Sequence, residues 1–156
     1  MKTDFFSYMP DLFKEWKEGH LPLKFRKQYP DLFDEDDLRI TIKQPQYHFI
    51  EWLAAIHFHK LGYKVLIEQY VYKTHKRKMT VVKNYLGEDG LKFLKHEGTS
   101  YKTQPPDLFV YKYDQFFFVE VKSEKDKLSA TQEDFFTKIE KKFKTEVILL
   151  RGSKKV

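Results

Sequence analysis

An unbroken apolar run that ends in two charged residues constrains this chain more than any other feature. Phe116–Val119 is followed by Glu120, Val121 and Lys122. Side chains alternate across a strand, so a strand with apolar residues at consecutive positions must be covered on both faces. The run therefore predicts a central strand of a sheet. Charged residues in such a strand are rarely buried without a partner, which makes its polar end a candidate functional site.

The segments around this strand predict a layered α/β fold, with a mixed central sheet and helices on its faces. Gln46–Leu61 is apolar on most sides and predicts a largely buried helix that ends near Gly62. The other predicted elements are a strand at Tyr63–Tyr72, a basic turn at Lys73–Lys78, a second hairpin strand at Met79–Tyr85, a short helix in Gly87–Gly98, a loop at Thr99–Pro106, strands at Asp107–Tyr111 and Phe116–Lys122, a helix at Ala130–Lys144 and a strand at Val147–Leu150.

Residues 1–45 differ from the rest of the chain. They contain four of the six prolines and an acidic cluster at residues 34–37. Short helices are expected around residues 10–18 and 35–42. A chain of 156 residues suits one compact domain. We therefore predict an N-terminal helical extension (residues 1–45) packed on a core of residues 46–156.

The charge distribution favours a polyanionic partner for the core. Residues 1–40 carry seven basic and nine acidic side chains, whereas residues 41–156 carry twenty-two basic and fourteen acidic ones. The positive field of the second part attracts nucleic acid. The alternative is a lysine-rich surface that serves solubility.

Other features limit the function classes. The chain has no cysteine, which excludes disulfides and thiolate zinc sites. It has no apolar run near the ~20 residues that span a bilayer, and its start lacks the apolar region of a signal peptide. These features predict a cytoplasmic protein with no membrane partner. A glycine-rich phosphate loop is missing as well, which argues against a P-loop NTPase.

Asp107, Glu120 and Lys122 form the candidate catalytic group. Glu120 and Lys122 point to the same face of their strand, and the hairpin brings Asp107 beside them. Carboxylates are ligands for Mg²⁺ or Mn²⁺, and a lysine can orient the attacking water or stabilise charge on phosphorus. The group therefore suits phosphodiester hydrolysis. The alternative is a same-face salt bridge between Glu120 and Lys122.

Glu51 and Gln132 are two further candidates. Glu51 lies among apolar residues in the middle of the predicted helix, with no Lys or Arg three or four residues away. It needs a partner, which is either a metal, a distant lysine or His48, unless its side chain reaches solvent. Ser129 and Gln132 predict a capping box for the last long helix. Its first turn is expected near the site, where backbone N–H groups can meet a phosphate.

Three segments resemble the virus-type replication-repair nuclease (VRR-NUC) domain of the PD-(D/E)XK superfamily. They are Pro106–Phe109, Val119–Lys122 and Asp126–Gln132. The resemblance implies a restriction-endonuclease-like core in which Asp107, Glu120 and the helix-borne Glu51 bind Mg²⁺ or Mn²⁺. It also implies catalytic roles for Lys122 and Gln132.

The resemblance also implies an endonuclease that acts on DNA, often branched DNA, in repair or phage replication. Stand-alone members of the family resemble phage or bacterial proteins that form homodimers. Two features depart from the family pattern: about thirty-five residues separate the Tyr63–Tyr72 strand from Asp107, and the first 45 residues have no counterpart in that pattern.

Taken together, we predict a Mg²⁺- or Mn²⁺-dependent deoxyribonuclease; RNA as substrate is left open. The alternative is a non-catalytic module, on a nuclease-like core, that binds nucleic acid or docks a partner. Basic residues predicted to contact the nucleic-acid backbone are Lys73, Lys76, Arg77, Lys78, Lys125, Lys127, Lys138, Lys141 and Lys142.

Overall fold

A mixed sheet with helices on both faces organises the chain. The computed structural model describes residues 1–96 and 102–156, and within these ranges it forms five strands and six helices. The strands are β1 (Lys2–Tyr8), β2 (Lys64–Ile67), β3 (Leu108–Lys112), β4 (Gln115–Ser123) and β5 (Val147–Lys154). The helices are α1 (Pro10–Lys17), α2 (His20–Gln28), α3 (Glu35–Lys43), α4 (Phe49–Lys60), α5 (Lys76–Lys95) and α6 (Ala130–Phe143). None of these helices is long and apolar enough to cross a membrane.

The apolar run occupies the centre of the sheet, as predicted. The strand order is β1-β5-β4-β3-β2; β3 is antiparallel to β2 and β4, and β5 is parallel to β4 and β1. Val119 of β4 packs on one face in a cluster with Trp52 of α4. Phe118 packs on the other face in a cluster with Phe135 of α6. Burial on both faces explains why the run has no polar alternation.

The prediction was wrong between residues 63 and 96. Strand β2 ends at Ile67, and the segment predicted as a second hairpin strand, Met79–Tyr85, lies in helix α5. Its β-branched residues favour a strand locally. However, Met79, Val82 and Leu86 are spaced by three and four residues, and this stripe packs into the same cluster as α6. Tertiary packing therefore outweighs the local preference.

The basic turn predicted at Lys73–Lys78 is also partly helical, since α5 begins at Lys76. The short helix predicted in Gly87–Gly98 is the second half of α5, which kinks at Gly87, where φ is 75°. The end of that prediction and the start of the Thr99–Pro106 loop lie outside the described residues. Residues 102–106 form no helix or strand.

The first 45 residues contribute both a strand and helices. Helices α1 and α3 confirm the two short helices expected there, whereas α2 and β1 were not predicted. Strand β1 is mostly exposed and lies at the sheet edge beside β5, so its sequence lacks the apolar alternation of an interior strand. Phe33 stacks on Trp52 with ring centroids 3.8 Å apart, in one cluster with Trp16. The division of the chain near residue 45 stays a prediction.

A buried ion pair joins α3 to α5. Lys78 is 1% exposed and Asp37 is 5% exposed. The Lys78 Nζ donates to Asp37 Oδ1 at 2.5 Å and to the carbonyl oxygen of Ile67 at 2.6 Å. The prediction that Lys78 contacts nucleic acid is therefore wrong, because its ammonium group points into the protein.

Asp37 also closes the capping box of α3. Its second carboxylate oxygen accepts from the backbone N–H of Asp34 at 3.0 Å, while the Asp34 side chain accepts from the Asp37 N–H. Arg77 adds a hydrogen bond from its Nε to Asp34 at 2.8 Å. Asp37, the counter-ion of Lys78, is thus fixed by the first turn of α3, the helix that contains it.

Breaking the buried ion pair should lower stability strongly. The substitution Lys78→Met leaves the buried Asp37 carboxylate with only the guanidinium group of Arg77, 3.9 Å away, as a cation, and we expect the free energy of unfolding in urea to fall by about 3–5 kcal/mol. The double substitution Asp37→Leu with Lys78→Met should recover most of the loss, because it removes both charges. As a control on the same helix, Lys83→Met removes an exposed ion pair to Glu88 and should change stability little. Equal effects of Lys78→Met and Lys83→Met would contradict this expectation.

Candidate active site

The β3–β4 hairpin brings Asp107 and Glu120 together at one end of the sheet. Leu108 pairs with Val119 in the antiparallel register, so Asp107 lies opposite Glu120. The Asp107 N–H donates to Glu120 Oε1 at 3.2 Å, and the Val121 N–H donates to Asp107 Oδ2 at 2.8 Å. Each carboxylate is therefore held by a backbone donor of the opposite strand. This is the arrangement that the spacing of the two residues predicts.

Lys122 shares the face of Glu120, also as predicted. Its Nζ lies 3.6 Å from Glu120 Oε2, and the side chain remains partly exposed. Glu120 itself is only 5% exposed. The ammonium group thus lies beside the buried carboxylate and still reaches the solvent-accessible end of the sheet.

Gln132 both caps helix α6 and lies near the site, as its position in the sequence suggested. Its side chain completes the capping box of α6: Ser129 Oγ accepts from the Gln132 N–H, and Gln132 Oε1 accepts from the Ser129 N–H. The Gln132 Nε2 also donates to Glu120 Oε2 at 3.1 Å. The first turn of α6 is therefore tied directly to a carboxylate of the candidate site.

Glu51 lies in the first turn of α4, not in the middle of a helix as predicted. The helix begins at Phe49 because His48 adopts a left-handed conformation, with φ 72°, and changes the chain direction. The N-terminus of a helix favours a negative side chain. This first turn is directed towards Asp107, so that Glu51 and Asp107 come close together although they are far apart in sequence.

Sequence reasoning missed a third member of this cluster, Glu68. One carboxylate oxygen from each of Glu51, Glu68 and Asp107 lies within 4.8 Å of the others. The predicted strand Tyr63–Tyr72 placed Glu68 in its interior, whereas β2 ends at Ile67, one residue before Glu68. A signal did exist: Glu68 directly follows the apolar run Val65–Ile67, as a polar residue at a strand end.

The backbone at Glu68 is unusual. Glu68 and Gln69 both adopt the left-handed conformation, with φ of 48° and 52°. Such a conformation costs about 1–3 kcal/mol for each non-glycine residue and persists only where the surroundings enforce it. The Glu68 N–H donates to the Asp107 carbonyl oxygen at 2.7 Å, and His48 Nδ1 lies 3.0 Å from Glu68 Oε1. Both contacts direct Glu68 towards the cluster.

The family model of the VRR-NUC domain matches residues 44–154, which include every one of these site residues. The chain belongs to the VRR-NUC family. VRR-NUC is a PD-(D/E)XK-like nuclease domain, so the chain has a nuclease-type function on DNA, and the resemblance of the three sequence segments is confirmed. Searches of curated proteins and of solved structures found no significant match.

The electrostatics of this VRR-NUC site favour a cation. Burial, followed by the charges of Glu120 and Glu51, raises the pKa of Asp107 well above its usual value. Burial and the charge of Glu68 raise the pKa of Glu51 to about 7. Burial also raises the pKa of Glu120, although Lys122 opposes the shift. Carboxylates that repel one another in a poorly solvated cluster fit a hard divalent cation, which VRR-NUC and related nucleases typically use.

A cavity beside the cluster offers room for a ligand. It has a volume of about 250 Å³ and is lined by Glu68, Asp107 and the segment between Gln69 and Tyr72, together with residues 104–106. The Gln69 Oε1 is buried and has no hydrogen-bond partner among residues 1–96 and 102–156. An oxygen without a donor, on a residue that lines the cavity together with Glu68 and Asp107, also fits a site for a cation or its bound water.

The basic residues predicted to contact nucleic acid lie at different distances from the site. Lys125 and Lys127 are exposed in the loop between β4 and α6, next to Lys122 and Gln132. Lys73 and Lys76 are exposed, and Lys73 lines a second cavity beside the first. Arg77 is exposed but bonded to Asp34. Lys138, Lys141 and Lys142 lie on exposed positions of α6, roughly 9–15 Å along the helix from Gln132.

The raised pKa of Glu51 predicts how the metal-free protein responds to pH. Because the pKa is about 7 in the folded state and 4.5 ordinarily, the folded carboxyl holds its proton more tightly. Stability should therefore fall as pH rises from about 4.5 to 7. The substitution Glu51→Gln removes this loss, and at pH 8 in EDTA the variant should be more stable than the native protein by roughly 1–3 kcal/mol.

The measurement is urea unfolding of both proteins at pH 5 and pH 8. The exposed Glu15 of α1 provides a control, because Glu15→Gln should leave stability unchanged at either pH. A Glu51→Gln variant that is no more stable than the native protein at pH 8 would argue against the repulsion described above.

Proposed function

We propose that this VRR-NUC protein is a nuclease that needs Mg²⁺ or Mn²⁺ to hydrolyse phosphodiester bonds in DNA. One observation carries the proposal. The oxygens of Glu51, Glu68 and Asp107 meet within 4.8 Å at the end of the sheet where Glu120 and Lys122 are paired. Three repelling carboxylates beside one ammonium group have no evident structural benefit, but they match the needs of metal-assisted phosphate chemistry.

Glu51, Glu68 and Asp107 would hold the ion, and Glu120 lies one hydrogen bond away from Asp107. When bound, the ion polarises a phosphoryl oxygen and lowers the pKa of a coordinated water molecule. Glu120 was predicted as a metal ligand, and its role in metal binding stays a prediction, because the oxygens that meet within 4.8 Å are those of Glu51, Glu68 and Asp107. Its hydrogen bonds to Asp107 and Gln132 support keeping it in the site.

The remaining groups act on the substrate. Lys122 lies where its ammonium group can stabilise charge that develops on the phosphate or orient the attacking water. Glu120 keeps that ammonium group in place from one side. Gln132 links Glu120 to the first turn of α6, and the N-terminus of a helix favours an anion such as a phosphate group.

Substrate binding would depend on the basic residues nearest the site. Lys125 and Lys127 lie in the loop that follows β4, Lys73 lines the second cavity, and Lys76 lies at the start of α5. Contacts from these lysines to phosphates would be independent of base sequence, which suits a nuclease directed by DNA structure. Lys141 and Lys142 would extend the contact to more distant phosphates.

The finer features of the proposal are endonuclease cleavage, a preference for branched DNA, and pairing of two copies as a homodimer. Two cuts in opposite strands need two sites, which a homodimer would supply.

Cleavage assays test the activity. A labelled panel of single-stranded DNA, duplex, flap, four-way junction and RNA should be cut only with Mg²⁺ or Mn²⁺, and DNA should be preferred over RNA. Lys122→Ala should lower kcat by at least about 100-fold, since it removes a charge that stabilises the transition state. The exposed Lys83 of α5 gives a matched control, and Lys83→Ala should keep full activity.

Metal binding provides a second, independent test. Mn²⁺ should raise the melting temperature of the native protein, because it binds only the folded site. Glu51→Gln and Glu68→Gln should each abolish most of that rise. If no substrate is cut and Mn²⁺ has no effect, while DNA still binds, the protein is instead a non-catalytic nucleic-acid-binding module.

A further inference from the structure

Strand β2 ends in carbonyl groups that the sheet leaves unpaired. Within the described part of the chain, β2 is an edge strand whose backbone pairs by hydrogen bonds with β3 alone. The Ile67 carbonyl accepts from Lys78 Nζ at 2.6 Å, and the Glu68 carbonyl is 3.4 Å from the same nitrogen. A buried carbonyl needs a donor, so Lys78 takes the place of a neighbouring strand at this edge.

The carbonyl groups of Ile67 and Glu68 lie at the start of the strained turn formed by Glu68 and Gln69. Glu68 of this turn supplies one carboxylate of the proposed metal cluster. Glu68 and Gln69 are left-handed without being glycine, so local preference does not hold them in this conformation. The Glu68 N–H is fixed by the Asp107 carbonyl, and the carbonyls of Ile67 and Glu68 are fixed by Lys78. The turn is therefore held by contacts from outside its own segment.

Lys78 itself has little freedom. Its ammonium group is buried and ion-paired with Asp37 at 2.5 Å. The other oxygen of Asp37 is bonded to the backbone of Asp34 at the start of α3. An ammonium group with a buried counter-ion and two carbonyl acceptors cannot move away without losing all three of these partners.

We propose that Lys78, anchored by Asp37, is a positioning residue that holds Glu68 in the orientation required for binding a divalent cation. The inference rests on the proposed metal site and extends it to a residue that touches neither metal nor substrate. Groups behind metal ligands commonly determine affinity, because they fix the ligand's direction.

The positions of Asp37 and Lys78 in the chain show which segments support the site. Asp37 precedes the segment that matches the VRR-NUC domain, residues 44–154, and Lys78 lies in α5, inside the long segment between β2 and β3. The segment that precedes the match and the long segment between β2 and β3 each supply one ion of the pair. They meet behind Glu68, so both contribute to the geometry of the site.

The test compares Mn²⁺ binding by calorimetry in uncharged variants of the pair, measured well below their melting temperatures. The double variant D37N/K78M lacks the donor to the carbonyls, and we expect its Mn²⁺ affinity to fall by about 10- to 100-fold. The variant D37N/K78Q keeps an N–H donor and should lose less. Should D37N/K78M fail to fold, D37L/K78M takes its place, because an apolar pair avoids any buried polar group.

A second control separates positioning from general loss of stability. Leu94 is a fully buried residue of the same helix, so L94A should destabilise the protein while keeping native Mn²⁺ affinity. Native affinity in D37N/K78M, or an equal loss of affinity in L94A, would overturn the inference and leave the metal site standing. If the unmodified protein binds no Mn²⁺, the proposed function fails, and the inference fails with it.

Discussion

The register between β3 and β4 is the constraint on which the candidate site depends. Leu108 opposite Val119 puts Asp107 opposite Glu120, and the two backbone N–H bonds across the hairpin hold both carboxylates. A shift by one residue would turn Glu120 and Lys122 to the α4 face of the sheet. The apolar residues of β4 oppose such a shift, because Phe118 and Val119 would exchange clusters, and each would enter a space packed around a side chain of different size.

The part of the site that lies on this hairpin follows from local sequence. Alternation along a strand is enough to place Glu120 and Lys122 on one face, and the capping motif is enough to place Gln132 at a helix start. Glu68 could not be found in this way, because its role depends on where β2 ends. At that end the Ile67 carbonyl accepts from Lys78, whose charge suggests a surface position in the sequence but whose counter-ion lies forty-one residues earlier.

A similar non-local effect explains the error in α5. Thr80, Val81 and Val82 favour a strand, yet no described strand continues the sheet beyond β2, and the apolar stripe of this segment finds its partner in the α6 cluster. Strand β1 was missed for the opposite reason: its residues are mostly exposed, and its pairing with β5 supplies the order that its composition does not indicate. In both cases, contacts between distant parts of the chain decide the secondary structure.

The pairing of β1 with β5 has a consequence for the order of folding. Lys2 pairs with Ile148, and β5 separates β1 from β4, so the sheet joins the beginning and the end of the described chain. Glu120 lies beside Leu149 of the same β5. During synthesis, β1 and the end of β4 that carries Glu120 can therefore complete their pairing only after β5 has emerged from the ribosome. A ribosome-bound chain that still lacks β5 has an incomplete sheet next to Glu120, so this carboxylate gains its full support only after β5 has been synthesised.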